Sequence, residues 1–376
     1  MLNKKFRAGL LAGTFLFASS TAVLASGPDG DNFTVVFNGQ TSLSVGYMSG
    51  DLISEPTNVG ATWGGPGAFL SPPLSVILGA GPLVAFDVPD ASFTSMSTQY
   101  TRFGFTATGD TALGAFKAVI EGDFNGAGGN FRIRHAYGEV GPILAGQTNS
   151  LWSDGHIYVS GWDWNGDVVS PGNNIARRQQ LRYTHGFANG AKLAVALEAE
   201  SDTASAFSGA FGITPDQKFF DITANLQTQV GPADVTVSAI YSFEDDVYDV
   251  APLFGFLGID GESYAVAASA TMPLSASVDA GLVGVYSDGG AGMGRINNTG
   301  GMDTSWGVGA TLGGALDENL HWHAGASYAE TELFTIGLLP IDMTRKHVYA
   351  TGSLEWKPMP FYSVIGQAHM RVPNLS

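Results

Sequence analysis

The chain contains no cysteine. No disulfide can hold it together, and thiol-based metal or redox chemistry is excluded. Charge is scarce: only 14% of residues are Asp, Glu, Lys or Arg, with 17 basic against 34 acidic. A net charge of −17 excludes a nucleic-acid surface, so no nucleic-acid partner is expected. Beyond the N-terminus no uninterrupted run of about 18 apolar residues occurs, so no helix is expected to span a membrane. Scarce charge does not mean disorder here, because 44% of residues are hydrophobic and 11% aromatic. The 51 glycines are spread along the chain and suit turns and close-packed strands better than helices.

The N-terminus reads MLNKKFR and then AGLLAGTFLFASSTAVLA. A basic start, an apolar middle and the small-residue site Val23-Leu24-Ala25 make a secretory leader cleaved after Ala25. Residues 26–376 then form a single domain, and losing Lys4, Lys5 and Arg7 takes the net charge from −17 to −20. An exported, cysteine-free, glycine- and aromatic-rich chain is either a secreted all-β protein or an outer-membrane β-barrel.

Alternation of apolar and polar residues recurs along the chain. It predicts strands at 33–48, 98–108, 113–124, 130–140, 142–149, 178–186, 190–200, 217–229, 233–243, 262–272, 276–287, 303–314, 319–330, 346–357 and 360–371. Most are longer than the roughly 5–6 residues of a globular strand and match the 9–11 that a tilted membrane-crossing strand needs. From residue 98 onward short turns such as Gly109-Asp110, Gly141-Pro142 and Gly231-Pro232 mostly alternate with long loops such as 150–177, 201–216 and 244–261. Short turns on one rim and long loops on the other define a transmembrane antiparallel β-barrel rather than a sandwich. Fifteen strands are counted, and bacterial barrels have even numbers near this size, about 16. The further strand must come from 52–97, from beyond the given sequence, or be replaced by a parallel pairing of the first and last strands.

The basic residues are not evenly placed. Seven of the fourteen left after leader removal lie between 102 and 182: Arg102, Lys117, Arg132, Arg134, Arg177, Arg178 and Arg182. In 131–137, Phe131, Ile133 and Tyr137 alternate with Arg132 and Arg134; in 178–184, Leu181 and Tyr183 alternate with Arg178, Gln180 and Arg182. Arg102 falls opposite Phe103 and Phe105, and Lys117, Glu121 and Asp123 fall opposite Phe116, Ala118 and Ile120. An arginine facing lipid at the midplane costs about 2–4 kcal/mol, so the basic face must look into a watery lumen. Consecutive strands then build one basic arc, which concentrates anions in a confined channel. The loop 150–177 carries Trp152, Trp162 and Trp164 with Asp154, Asp163 and Asp167. So aromatic a loop is expected to fold back into the lumen, with its carboxylates facing the arc.

Other candidates have plainer readings. His321 and His323 share a face but lack a third ligand, so no metal is expected. Glu121 and Asp123 resemble an acid–base pair, as a hydrolase would need, but two carboxylates two apart on one strand are better read as partners for arginines. No catalytic triad or cofactor motif is visible, and the chain is expected not to be an enzyme. A third reading is a non-conducting structural barrel plugged by 52–97.

The runs FKAVIEGDF (116–124), FRIRHAYGEV (131–140), LAGQTNSLWSD (144–154) and RRQQLRYTH (177–185) resemble the DcaP-like outer-membrane porins. The resemblance is strongest over 98–186; elsewhere TRFGF (101–105) and LEWKP (354–358) are similar to the family. It implies a 16-stranded barrel assembled as a homotrimer, a third loop folded into the pore, an arginine-rich constriction, and passive passage of small anions such as dicarboxylates. Arg102, Arg132, Arg134, Arg178 and Arg182 carry that pattern here. The family's N-terminal periplasmic coiled coil has no counterpart between the cleavage site and the first strand. The reading is thus an outer-membrane porin of a Gram-negative bacterium, in contact with outer-membrane lipid and lipopolysaccharide and passing small anionic solutes. Its first checkable consequence is the processing site: N-terminal sequencing of protein extracted from outer membranes is expected to start at Ser26, and a start at Met1 overturns the leader.

Overall fold

The structure is a computed structural model. It describes residues 11–26, 32–53, 87–126, 129–154, 156, 177–199, 219–243, 262–288, 305–333, 343–359 and 362–375. All fifteen expected strands are present, and two more segments join them. The elements are β1 (Leu11–Ser26), β2 (Asn32–Ile53), β3 (Asp87–Ser97), β4 (Arg102–Thr111), β5 (Gly114–Asp123), β6 (Arg132–Val140), β7 (Ile143–Asn149), β8 (Arg177–Gly186) and β9 (Lys192–Glu198). They continue as β10 (Asp221–Val230), β11 (Ala233–Phe243), β12 (Glu262–Pro273), β13 (Val278–Asp288), β14 (Ser305–Ala315), β15 (Leu320–Leu333), β16 (Met343–Met359) and β17 (Tyr362–Leu375).

Every pairing is antiparallel, and successive strands are neighbours from β4 to β17. β3 and β4 lie end to end along one edge of β2, at Ser44–Ile53 and Phe33–Gln40. Counted as one stave, they bring the seventeen strands of the sheet to sixteen. The stretch 52–97 thus supplies a strand segment, β3, while residues 54–86 lie outside the described residues. Residues 11–25, expected to leave with the leader, make up β1 but for Ser26 and pair with β17 on one side and β2 on the other. In the uncut chain that segment occupies the seam between the first and last expected strands.

The two faces differ as a barrel wall in a membrane requires. Outward positions are large and apolar: Leu282 on β13 is 61% exposed, and Val266, Val308 and Leu354 point the same way. Many inward positions on β11 to β15 are small or hydroxyl-bearing, as with Ser238, Ala267, Ser287 and Ser327, while Ile240 and Val285 form an apolar inward patch; all are buried.

One register shift alters the expected faces. Between β5 and β6, Glu121 pairs with His135 but Gly122 pairs with Ile133, so Arg134 is the extra residue of a β-bulge. Strict period two would put Tyr137 outward with Phe131 and Ile133. The bulge advances the phase, so Tyr137 turns into the lumen, where Lys117 Nζ lies 5.9 Å from its ring centroid. Arg132 and Arg134 precede the phase change, and His135 and Tyr137 follow it. Gly122 is required beside the bulge, since an added Cβ would run into the Phe131 ring and the Arg132 carbonyl.

The assignment of faces is checked by Leu282→Arg. A charge in the apolar band is expected to lower folding stability by about 2–4 kcal/mol in urea titrations into vesicles. Ser287→Arg, on the inward face of the same strand, is expected to cost clearly less.

Candidate functional site: an arginine-lined wall and an anchored inward loop

β4, β5 and β6 bring their inward charges into one network. Arg132 grips Asp123 with Nε at 2.7 Å from Oδ1 and Nη2 at 3.2 Å from Oδ2. Arg134 bridges two acids, donating Nε to Glu121 Oε1 and Nη1 to Asp123 Oδ2, each at 2.8 Å. Arg102 donates Nε and Nη2 to Gln40 Oε1 on β2, and its Nη1 stands 3.9 Å from Glu121. Asp123 is almost fully buried and takes a further hydrogen bond from the Asn125 amide. Such charge-assisted, partly bidentate contacts fix the guanidiniums as planes rather than leaving them as mobile tethers. Arg102 and Arg132 nevertheless keep 38% and 39% of their side-chain surface open. Glu121 and Asp123 are both claimed by arginines, an arrangement suited to an electrostatic wall.

A second network lies deeper. Arg178 is buried, with Nη1 2.7 Å from Asp221 and Nε 3.9 Å from Glu198, both acids also buried. Removing one partner of such a pair costs about 3–5 kcal/mol, because the other charge is left uncompensated. Glu198 also accepts hydrogen bonds from Ser150 Oγ (2.6 Å), the Leu151 amide (2.8 Å) and Thr223 Oγ1 (2.9 Å). Ser150 and Leu151 begin the loop after β7, so this carboxylate ties the base of the loop to the wall.

The first residues of that loop run along the inner wall. A turn at Leu151–Asp154 is closed by the Asp154 amide donating to the Leu151 carbonyl. Asn225 Nδ2 on β10 donates to the carbonyls of Leu151 and Asp154. The Trp152 side chain is buried against Ile240, Ala265, Ala267 and Val285, the inward side of β11 to β13. His156 reaches further round, with Nδ1 2.8 Å from Ser269 Oγ on β12 and Nε2 2.7 Å from Ser238 Oγ on β11. The expected inward fold of the loop is thus present at its start. Asp154 meets the basic side through Arg182 Nη1 at 3.4 Å, and Arg182 also binds Gln180 Oε1 and the Asn149 carbonyl. Trp162, Asp163, Trp164 and Asp167 lie outside the described residues.

The expected basic residues therefore separate into groups. Arg102, Arg132 and Arg134 stand together. Arg177, which opens β8 opposite Asn149, lies close enough to Arg134 and Arg132 to feel their charge, its Nε buried without a hydrogen-bond partner among the described residues. Arg178 and Arg182 hold the loop. Lys117 sits nearer the short-turn rim, across from Glu139 and over Tyr137. Sequence reasoning passed over Gln40, Glu198, Asp221 and Asn225. A polar signal was present for Glu198, Asp221 and Asn225, which hold inward positions on β9 and β10, but only the register brings them to Arg178 and the loop. Among the described residues no three His, Asp or Glu side chains gather as a metal would require.

Strands apolar outside and charged inside, with a loop folded onto the inner wall, define an outer-membrane β-barrel channel. A family profile described as the porin subfamily matches residues 78–364, well over half of the chain. The chain belongs to that family, and it is an outer-membrane porin. Among solved structures, the outer membrane channel DcaP of Acinetobacter baumannii is 13% identical, with a TM-score of 0.50 over 98% of this chain and 96% of that one. A loop-deletion mutant of OmpT from Vibrio cholerae is 8% identical, with a TM-score of 0.49 over 97% and 100%. An anion-selective porin from Comamonas acidovorans is 10% identical, with a TM-score of 0.45 over 97% and 99%. At these identities the likeness is one of fold. A comparison with curated protein sequences found no match.

His156 makes the loop anchor sensitive to acid. Both ring nitrogens face neutral hydroxyls, which do not offset a charge on the ring. Burial lowers its pKa from 6.5 to about 4. The unfolded chain takes up the proton first, so the anchor is at full strength above pH 6.5 and weakens as pH falls toward 4. Below about 4 the ring carries a buried charge that its two hydroxyl contacts do not offset. Channel conductance is expected to change across that lower limit, and His156→Gln, which still donates and accepts, is expected to remove the change.

Proposed function

We propose that this porin passes small hydrophilic anions by passive diffusion, with dicarboxylates as the fitting class, and that the exported chain, freed of its leader after Ala25, works as a homotrimer among outer-membrane lipid and lipopolysaccharide. The observation that carries the anion reading is a local imbalance. On β4 to β6, two acids, Glu121 and Asp123, serve the three guanidiniums of Arg102, Arg132 and Arg134, and Arg177 adds a fourth beside them. The surplus is positive in a chain that is acidic overall, and low-dielectric walls focus its field into the lumen.

Solute contact falls to the open edges of Arg102 and Arg132, with Arg134 behind them and Arg182 at the loop. Arg178 acts differently: closed over by Asp221 and Glu198, it holds the wall and the loop in place. An anion moving through exchanges one guanidinium edge for the next. Two carboxylates on one solute can touch two arginines at once, which favours dicarboxylates over monovalent anions. Each contact is weakened by the acid already bound to the same guanidinium, so the solute leaves as readily as it enters. The fold of the DcaP channel, matched over nearly the whole chain, is compatible with this reading.

Single-channel recording in a planar bilayer under a salt gradient tests it. Stepwise conductance with an anion-biased reversal potential is expected, and Arg102→Gln/Arg132→Gln is expected to reduce the bias several-fold and to weaken block by a dicarboxylate such as succinate. Folded protein that does not conduct overturns the channel reading. Conductance with no anion bias overturns the selectivity alone.

A further inference from the structure

The lumen face of β15 and β16 holds polar atoms that nothing in the described residues answers. Along β16, Thr351, Ser353 and Glu355 are buried on the inward side, while Leu354 and Trp356 are exposed on the outward side. Glu355 is 4% exposed. Its Oε2 lies 3.0 Å from Lys357 Nζ, but its Oε1 is buried without a hydrogen-bond partner. Thr351 is 7% exposed, and its Oγ1 is likewise buried and unpartnered. Across the ladder, His321 pairs with Glu355, His323 with Ser353, and Gly325 with Thr351. His323 therefore faces the interval between Thr351 and Glu355, and its Nδ1 is a third buried atom without a partner. Gly313, opposite His323 on β14, and Gly325 bring no side chain to the same surface. The His323 ring closes over Gly313, 3.4 Å from where a Cβ would stand.

Buried polar atoms normally have partners, and leaving one open costs the full desolvation of that group. Three such atoms on two adjacent strands mark a surface that a ligand completes. Charge narrows the ligand. Lys357 already offsets Glu355, so the patch does not call for a cation. Among the described residues no three His, Asp or Glu side chains gather for a metal. A further anion would meet the Glu355 carboxylate. The group that fits is uncharged, donates to a carboxylate oxygen, and exchanges hydrogen bonds with a hydroxyl and an imidazole nitrogen. A hydroxyl does all three. Thr351 and Glu355 stand about 13 Å apart along the strand, so a row of hydroxyls serves the patch where a single one does not.

Height in the channel gives the patch its place. Glu355 lies four residues before the end of β16 at Met359, and Arg102 lies nine residues before the end of β4 at Thr111. At about 3.3 Å per residue and a tilt near 45°, these are about 9 Å and about 21 Å above the short-turn rim. Short turns face the periplasm in such barrels, so an entering solute meets the arginines first and this patch afterwards.

We infer that the inward face of β15 and β16, at Thr351, His323 and Glu355, is a subsite for polyhydroxylated solutes. One hydroxyl donates to Glu355 Oε1, and its neighbours along the solute exchange hydrogen bonds with His323 Nδ1 and Thr351 Oγ1. The subsite rests on the porin reading above and adds to it the body of the solute: the arc draws a carboxylate, and this patch takes hydroxyls carried on the same molecule, as in a sugar acid.

A neutral polyol isolates the patch from the arc. Uptake of radiolabelled sorbitol into proteoliposomes is measured against concentration, beside triethylene glycol, a chain of similar length in which most oxygens only accept. Sorbitol uptake is expected to level off, and triethylene glycol uptake to rise linearly. Thr351→Val/His323→Phe is expected to make sorbitol uptake linear and to lower its rate several-fold at the lowest concentrations. Thr351→Val alone, which removes no contact seen in the fold, is expected to raise the half-saturating concentration several-fold and to keep the test open if the double variant does not fold. Linear sorbitol uptake through the unmodified channel overturns the subsite, the three atoms then holding only water. Saturation unchanged in the folded variants overturns its location. Single-channel conductance of the same preparation separates the readings: a conducting channel with linear uptake sinks the subsite alone, whereas folded protein that neither conducts nor passes sorbitol sinks the porin reading.

Discussion

Hydrocarbon offers the backbone no hydrogen bond, and that constraint governs everything else in this chain. A strand that crosses a membrane must find partners on both edges, so strands add until the sheet returns on itself. Here the pairings run in sequence from β4 to β17, and in the uncut chain β1 joins β17 to β2. Once the ring exists, period-two alternation leaves each side chain one of two solvents. Apolar residues face lipid and charged residues face water. The arginines reach the lumen for that reason before any solute is considered.

The inner wall then has to keep its loop where it is. A segment with free backbone amides cannot simply lie on apolar side chains. Glu198 solves this by taking the Ser150 hydroxyl and the Leu151 amide at the loop's first two residues, while Asn225 takes carbonyls three residues apart. Trp152 adds apolar burial between those polar ties. A buried carboxylate needs its own counter-charge, and Arg178 supplies it together with Asp221. The loop anchor and part of the basic arc are therefore a single network, and a change to either reaches the other.

How much of this was legible beforehand follows from what periodicity can carry. Strand positions and the inward side of Arg102, Arg132, Arg134, Arg178 and Arg182 follow from alternation alone, because one slip would put charge into lipid. The side taken by Tyr137 did not follow. A bulge adds one residue and reverses the phase, and nothing in FRIRHAYGEV marks where the extra residue sits. The roles of Glu198, Asp221 and Asn225 were also out of reach. Asp221 and Asn225 lie beyond the long loop after β9, and Glu198 meets Ser150 and Leu151 from the far side of the 150–177 loop, so only register decides which inward residues meet. β1 shows a different limit. The apolar pattern of Leu11–Ser26 suits both an export leader and a membrane strand, but a segment cannot be cut away and remain in the sheet.

The arc's usefulness lies in its being mostly, and not fully, neutralised. A bare row of guanidiniums would bind an oxyanion tightly and slow its departure; a fully paired row would present no field. In this wall the acids fix Arg132 and Arg134 by two contacts each, and Gln40 fixes Arg102 in the same way. The side-chain entropy has been spent in folding, so a passing anion need not order the groups it touches. Two acids among four guanidiniums then leave enough positive field to draw anions in. The same acids weaken every contact once it is made. Selection and turnover are in this way set by one ratio of charges on three strands and the start of a fourth, and shifting that ratio by a single residue moves both in opposite directions.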